Sequence, residues 1–350
     1  MKIHDNNTYD EKKYEFLREF CDKDVWSVSK CNNAGDCLYN FYLTYIDKNL
    51  IVPRQNVYAE AGIVVHECLE FFYKDIYTRE QMIENYIKNF NIVTKLKGLS
   101  FPHGESEEKA WYKSMLNFLQ NHKKYECTGV ELEKHISGLL ATKAFAGFVD
   151  LIVYKENGHV DVLDWKTCSL GMLNKGKYEH SARQLALYKY VLQTEYGLTV
   201  DRCGWNMCKF AHLNYTNPKT GKTSKRSKVQ RDQLIKNKLE LLQKYYSNKM
   251  QFNADNFKFD PRKENWEVFS EYDNFNFNIE EYIEYADITE EIMAEAIQYV
   301  NDIAEKVAEY GDLEFAYAVP KIEDYFCAQL CNFGHECKFY KAWKADQNNK

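Results

Sequence analysis

Residues 147–154 read Gly-Phe-Val-Asp-Leu-Ile-Val-Tyr, 155–158 Lys-Glu-Asn-Gly, and 159–166 His-Val-Asp-Val-Leu-Asp-Trp-Lys. After a polar link, 180–190 read His-Ser-Ala-Arg-Gln-Leu-Ala-Leu-Tyr-Lys-Tyr. The runs Ala146–Tyr154 and His159–Lys166 are rich in β-branched and aromatic residues on either side of Glu156-Asn157-Gly158, the pattern of a β-hairpin. Asp150 falls on the first strand, Asp164-Trp165-Lys166 closes the second, and Gln184 and Tyr188 lie one turn apart on the helix Ser181–Tyr196.

Loop length decides what this hairpin can do. A two-residue turn at Asn157-Gly158 would set Asp150 opposite Trp165 and send the two carboxylates to opposite faces. A three-residue loop with a left-handed Gly158 pairs Asp150 with Asp164 and puts Lys166 on their side. Two carboxylates and an ammonium on neighbouring strand ends suit a hard divalent cation and the hydrolysis of a phosphodiester. The sequence therefore predicts the three-residue loop, or a bulge that restores its parity.

Asp150, Asp164-Trp165-Lys166 and Gln184-x3-Tyr188 resemble the PD-(D/E)XK nuclease superfamily in its RecB-like branch. With the cysteines below, the likeness extends to iron–sulfur members typified by AddB and the CRISPR-associated RecB-like exonucleases, over about Ser27 to Cys337. The resemblance implies an α/β fold with a restriction-endonuclease-like core, a central mixed sheet flanked by helices. It adds a helical insertion and an iron–sulfur staple joining the two terminal segments. It implies a metal-dependent deoxyribonuclease, an exonuclease on DNA ends or single strands in recombination, repair or replication. A trimming nuclease of the CRISPR-adaptation type and a catalytically silent DNA-end-binding protein are the rivals.

The resemblance also assigns residues. Tyr58–Tyr77 reads as a helix with His66, Glu70 and Tyr73 on one face; a lone helical histidine is usually structural, but the family's Gly-x3-His pattern makes His66 a ligand, with Glu70 to orient it. Mg²⁺ or Mn²⁺ would then sit on His66, Asp150, Asp164 and the Trp165 carbonyl, with Lys166 positioning or deprotonating the water. Gln184 and Tyr188 would hold the DNA strand, and either Glu131 or Glu133 would be an auxiliary site residue.

Four segments follow from this reading: 1–57 with a cluster ligand, 58–128 with the His helix and helical insertion, 129–250 as nuclease core, and 251–350 helical with a cysteine cluster. Helices are expected at Glu11–Cys21, Glu107–Tyr125, Gln233–Lys249 and Ile288–Tyr310, a strand at Val200–Phe210, and irregular aromatic chain at Phe252–Phe277. Cys327, Cys331 and Cys337 crowd one short loop, and three thiolates need a fourth ligand. In the resemblance that ligand is Cys37, after the Ser27-Val-Ser29 segment, with Cys31 and Cys21 as rivals, and the group is a [4Fe–4S] cluster. Cys327-x3-Cys331 departs from the family's two-residue spacing and Leu38 from its proline; zinc, with His335 as a substitute ligand, is the alternative.

Composition sets bounds. A chain of 350 residues, 45% hydrophobic and 28% charged, is that of an ordinary soluble globular protein. Its net charge of −6 argues against coating nucleic acid by bulk electrostatics and leaves room for a local basic channel, for which residues 217–231 are the candidate. No run is apolar enough for a membrane span or a secretory leader, so a cytoplasmic setting is expected. Without a Gly-x4-Gly-Lys-[Ser/Thr] loop, any helicase would be a separate partner.

Overall fold

The computed structural model describes residues 2–3, 25–174, 177–217, 220–247, 276–311 and 314–348. The expected helix Glu11–Cys21, the rival ligand Cys21 and almost all of the aromatic stretch 252–277 lie outside the described residues. In chain order come β1 (Lys2–Ile3), β2 (Val25–Trp26), α1 (Val28–Asp36), α2 (Leu38–Phe41), α3 (Val57–Tyr73), α4 (Arg79–Asn91) and α5 (Glu105–Asn121). Then follow β3 (Gly129–Leu140), β4 (Lys143–Tyr154), β5 (Val160–Lys166), α6 (Tyr178–Thr194), β6 (Val200–Thr216) and β7 (Thr223–Gln230). The last are α7 (Leu234–Ser247), β8 (Asn278–Ala286), α8 (Glu290–Ala308) and α9 (Lys338–Asn348).

One mixed sheet runs β1-β3-β4-β5-β6-β7, with β2 added to β4 and β8 to β6. The β5–α6–β6 crossover makes one parallel pair, β1–β3 and β2–β4 are also parallel, and the β3–β4 and β4–β5 pairs are antiparallel. The sheet thus draws β1 and β2 from the N-terminal segment and β8 from the C-terminal one. The basic stretch is the β6–β7 hairpin, on which Lys225 meets Glu280 and Arg226 meets Glu240.

The hairpin has the three-residue loop. Lys155 N donates to His159 O at 2.9 Å, and Gly158 has φ +80. Leu151 pairs with Leu163, so the next rung brings Asp150 opposite Asp164. There β4 parts from its neighbour: β5 pairs only with 151–154 and β2 only with 144–145. Residues 146–150 of β4 thus face a gap in the sheet.

A second irregularity sits at the same level. Glu133 has φ +46, and the β3–β4 ladder skips its rung with Asp150. Alternation would keep Val130, Leu132, Ile136 and Leu140 on one face. Instead Val130 and Leu132 join the core beneath α3–α5, while Ile136 and Leu140 join the core beneath α6 and α8. On β4, Leu151 and Val153 split from Phe145 and Val149 in the same way. Both strands turn over at Glu133/Asp150. This is why Glu131 and Lys134, three apart on a strand, can form a buried ion pair.

The two apolar cores therefore lie on opposite faces and meet at the gap. No helix among the described residues is long and apolar enough to cross a membrane. Gly334 packs under the chain of the cysteine loop, where a Cβ would stand 1.6 Å from the Cys327 carbonyl oxygen. Gly334→Ala must displace that backbone; we expect Tm to fall by several degrees in scanning calorimetry, while Gly221→Ala, at an open hairpin tip, lowers it by about 2 °C or less.

Candidate active site

Four elements converge on the gap. Helix α3 brings His66; its first turn is capped by Asn56, whose Oδ1 accepts from Tyr58 N at 2.8 Å and Ala59 N at 3.4 Å. Glycine at 62 lets α3 approach the strand after Lys166, since a Cβ there would lie 3.3 Å from Thr167 Oγ1. His66 Nε2 sits 3.0 Å from the Trp165 carbonyl oxygen, and His66 Nδ1 lies 3.6 Å from both Glu133 Oε1 and Asp150 Oδ2. One ligand atom from each of His66, Glu133 and Asp150 falls within 4.8 Å of the others. The left-handed Glu133 is thus the glutamate that enters the site, while Glu131 turns away to Lys134.

Asp164 lies outside that 4.8 Å group, on the β5 rung opposite Asp150. It is 3% exposed in companionship with Lys166, whose Nζ lies 2.6 Å from Asp164 Oδ2. At that distance the ammonium is a charge-assisted partner for the buried Oδ2. Gln184 bridges the pair: Oε1 accepts from Lys166 Nζ at 3.2 Å, while Nε2 donates to Asp164 Oδ1 at 3.2 Å and to Tyr188 OH at 3.1 Å. Tyr188 is 5% exposed, its ring against Gly147, where a Cβ would meet it at 2.9 Å. Both side chains engage the site from within: Gln184 bonds Lys166 and Asp164, and Tyr188 bonds Gln184. Glu70, expected beside His66, pairs with Lys74 at 2.6 Å instead.

The electrostatics follow from the crowding. Burial and the neighbouring Asp164 carboxylate push Asp150 up to about 7. Burial would lower His66, but Glu133, Asp150 and Asp164 outweigh it and raise the imidazole to about 9. Burial opposes the charge on Lys166 too, and Asp164 wins, holding the ammonium above its ordinary range. Two carboxylate oxygens and an imidazole, from Glu133, Asp150 and His66, are a set a divalent ion accepts.

A second grouping lies on the face of α6. Cys37, Cys327, Cys331 and Cys337 all line one cavity of about 690 Å³, with Tyr39, Phe326 and Phe333 around them. Among the described residues no three of these thiols have sulfurs within 4.8 Å of one another. Burial lifts Cys37 to about 11, with Cys331 and Cys337 adding to the rise. Cys31 points elsewhere, buried in the apolar core with its thiol pushed up to about 12 by burial.

A profile of the PD-(D/E)XK nuclease superfamily matches residues 25–338. The chain belongs to that superfamily, whose members are nucleases that use divalent metals. No curated protein matches it.

Sequence reading missed the wall behind the site. Trp165 packs edge-on to His66 and tilted on Tyr73, both at 5.9 Å. Tyr73 OH meets His122 Nε2 at 3.2 Å, and His122 Nδ1 meets Glu281 Oε1 at 2.6 Å. The strand carrying Glu281, β8, alternates Ile279, Glu281 and Ile283, and that period-2 pattern was the available signal.

Glu133 holds a backbone conformation that costs about 1 kcal/mol in a residue with a side chain. Glu133→Gly should therefore raise the Tm of the metal-free protein by about 2 °C. It should weaken Mn²⁺ binding by about tenfold or more in calorimetry; Glu133→Gln should share the binding loss without the full stability gain.

The raised values give a pH dependence with a fixed sign. Folding tightens proton binding at Asp150 between 3.8 and about 7, and at His66 between 6.5 and about 9. The contribution of these two groups to the stability of the metal-free protein is thus greatest on the acid side and declines as pH climbs through this window. Ligands must shed protons to take a metal. The rise in Tm on adding Mn²⁺ should be larger at mildly alkaline than at mildly acidic pH.

Proposed function

We propose that this chain is a deoxyribonuclease of the RecB-like branch, a Mg²⁺- or Mn²⁺-dependent enzyme that hydrolyses phosphodiesters at DNA ends or in single strands. The observation that carries the reading is the meeting of His66, Glu133, Asp150, Asp164 and Lys166 at the gap between β4 and β5. The likeness of Gly62-x3-His66 and Gln184-x3-Tyr188 to the RecB-like pattern supports the branch, and with it exonucleolytic work in recombination, repair or replication, alongside a separate helicase or recombination partner.

His66, Glu133, Asp150, Asp164 and the Trp165 carbonyl would hold the ion. When bound, such an ion lowers the pKa of a water and neutralises charge on the phosphate. Lys166 enters as an ammonium, paired to Asp164 and steadied by Gln184. That state suits it to donate to a phosphoryl oxygen and to orient the attacking water, in preference to removing a proton. Tyr188 fixes Gln184, so the ammonium keeps one direction as the phosphate gains charge.

The cysteine cavity supports a [4Fe–4S] cluster as the second cofactor. All four thiols line the same cavity, and such a cluster is held by four thiolates. Cys37, Cys327, Cys331 and Cys337 would hold it.

Digestion of end-labelled DNA in Mn²⁺ tests the main reading. Wild type should degrade it, Lys166→Ala should be slower by about 100- to 1,000-fold, and Asp164→Asn should be inactive; DNA binding without hydrolysis by wild type would sink the enzyme. Anaerobic purification should yield about four irons per chain with visible charge-transfer absorption, both lost in Cys37→Ser but retained in Cys31→Ser. One zinc and no iron would overturn the cluster.

A further inference from the structure

Phe148 stands where nothing in the catalytic machinery uses it. It is 57% exposed, the sole exposed phenylalanine among the described residues. Its neighbour Gly147 packs against Tyr188 on the face of α6, so alternation sends Phe148 out through the opposite face. Along β4 it is two residues, roughly 7 Å, from Asp150. It belongs to the stretch of β4 that neither β5 nor β2 covers.

The ring is not loose. Phe148 pairs with His135 on β3, and the two rings meet edge to face at 5.1 Å and 68°. A second apolar side chain borders the same metal group from the helix: Ile63, 53% exposed, lies one turn before His66 and on its side of α3. Exposed apolar surface is unfavourable in water, and here it flanks the phosphate-handling carboxylates.

We propose that Phe148, backed by His135, is the stacking platform for an unpaired DNA base next to the scissile phosphate. This rests on the nuclease reading and names its substrate: a strand whose bases are free at the site. The separation of Phe148 from Asp150 is comparable with one nucleotide step of an extended strand. A base–aromatic stack needs no positive charge, which suits a chain of net charge −6. The Phe148 ring is open to solvent where that of Tyr188 is buried. A base held in a duplex is already stacked on its neighbours and gains nothing here.

Binding is measured in a Lys166→Ala background, with a single-stranded oligonucleotide carrying 2-aminopurine. Phe148→Ala should weaken affinity by about tenfold and relieve the fluorescence quenching, and Phe148→Trp should restore both. The same substitution should leave the affinity of a fully abasic oligonucleotide unchanged. Equal affinity of the Phe148→Ala and Phe148-containing proteins for the aminopurine strand, or an equal loss on the abasic strand, would overturn the platform. In the Lys166-containing enzyme, Phe148→Ala should hydrolyse a small baseless phosphodiester as fast as wild type; a matching loss there would also overturn it. If wild type hydrolyses no phosphodiester, the nuclease reading fails while the binding result still decides the platform.

Discussion

Three carboxylates crowded at the edge of a low-dielectric core repel one another, and the site is built around that repulsion. At an effective dielectric of about 20, two like charges some 4 Å apart cost about 4 kcal/mol. Asp150 answers by holding its proton to higher pH, His66 by becoming a cation, and Lys166 by closing on Asp164. Each answer leaves the site short of the charge that a divalent ion brings. The fold's task is to stop the carboxylates from moving apart instead.

It does so from several directions. The three-residue loop fixes Asp150 against Asp164, and the left-handed Glu133 turns β3 and β4 over at that rung. Behind them Trp165 is clamped by Tyr73, and Tyr73 is tied through His122 to Glu281. Burial alone would raise the Glu281 carboxyl, but His122 outweighs it and holds the group below its usual range. A buried pair of this kind gives little net stability, because desolvation offsets attraction. Its effect is directional: it ties β8, α3 and the end of α5 into one wall.

Much of this was legible in the sequence where the signal was local. Hairpin parity could be counted residue by residue, because side chains alternate with period 2 and the loop had to satisfy both aspartates. The His66 helix and the order of motifs were equally readable. Glu133 could not be separated from Glu131, since the choice depends on a backbone φ that no neighbouring residue type announces. Glu70 was read as His66's partner from helical spacing, yet Lys74 shares that spacing and takes it. Tyr188 looked like a base-stacking residue, because its burial is set by Gly147 on a different strand. Pairings across distant segments were the ones lost.

The cysteine loop shows the same long-range logic at the other end of α3. Arg54 N donates to Asn332 O at 2.7 Å, Arg54 Nη2 to Ala328 O at 2.9 Å, and Asn56 Nδ2 to Leu330 O at 3.3 Å. Asn56 therefore caps the His66 helix with its oxygen while its nitrogen holds the loop between Cys327 and Cys331. Tyr39 and Phe339 add an edge-to-face contact at 5.1 Å between the two terminal segments. The entry angle of α3 is set by backbone carbonyls of the thiol-bearing segment, and the position of His66 over Asp150 follows from that angle. The thiol-lined cavity and the carboxylate site are thus joined through a single helix terminus.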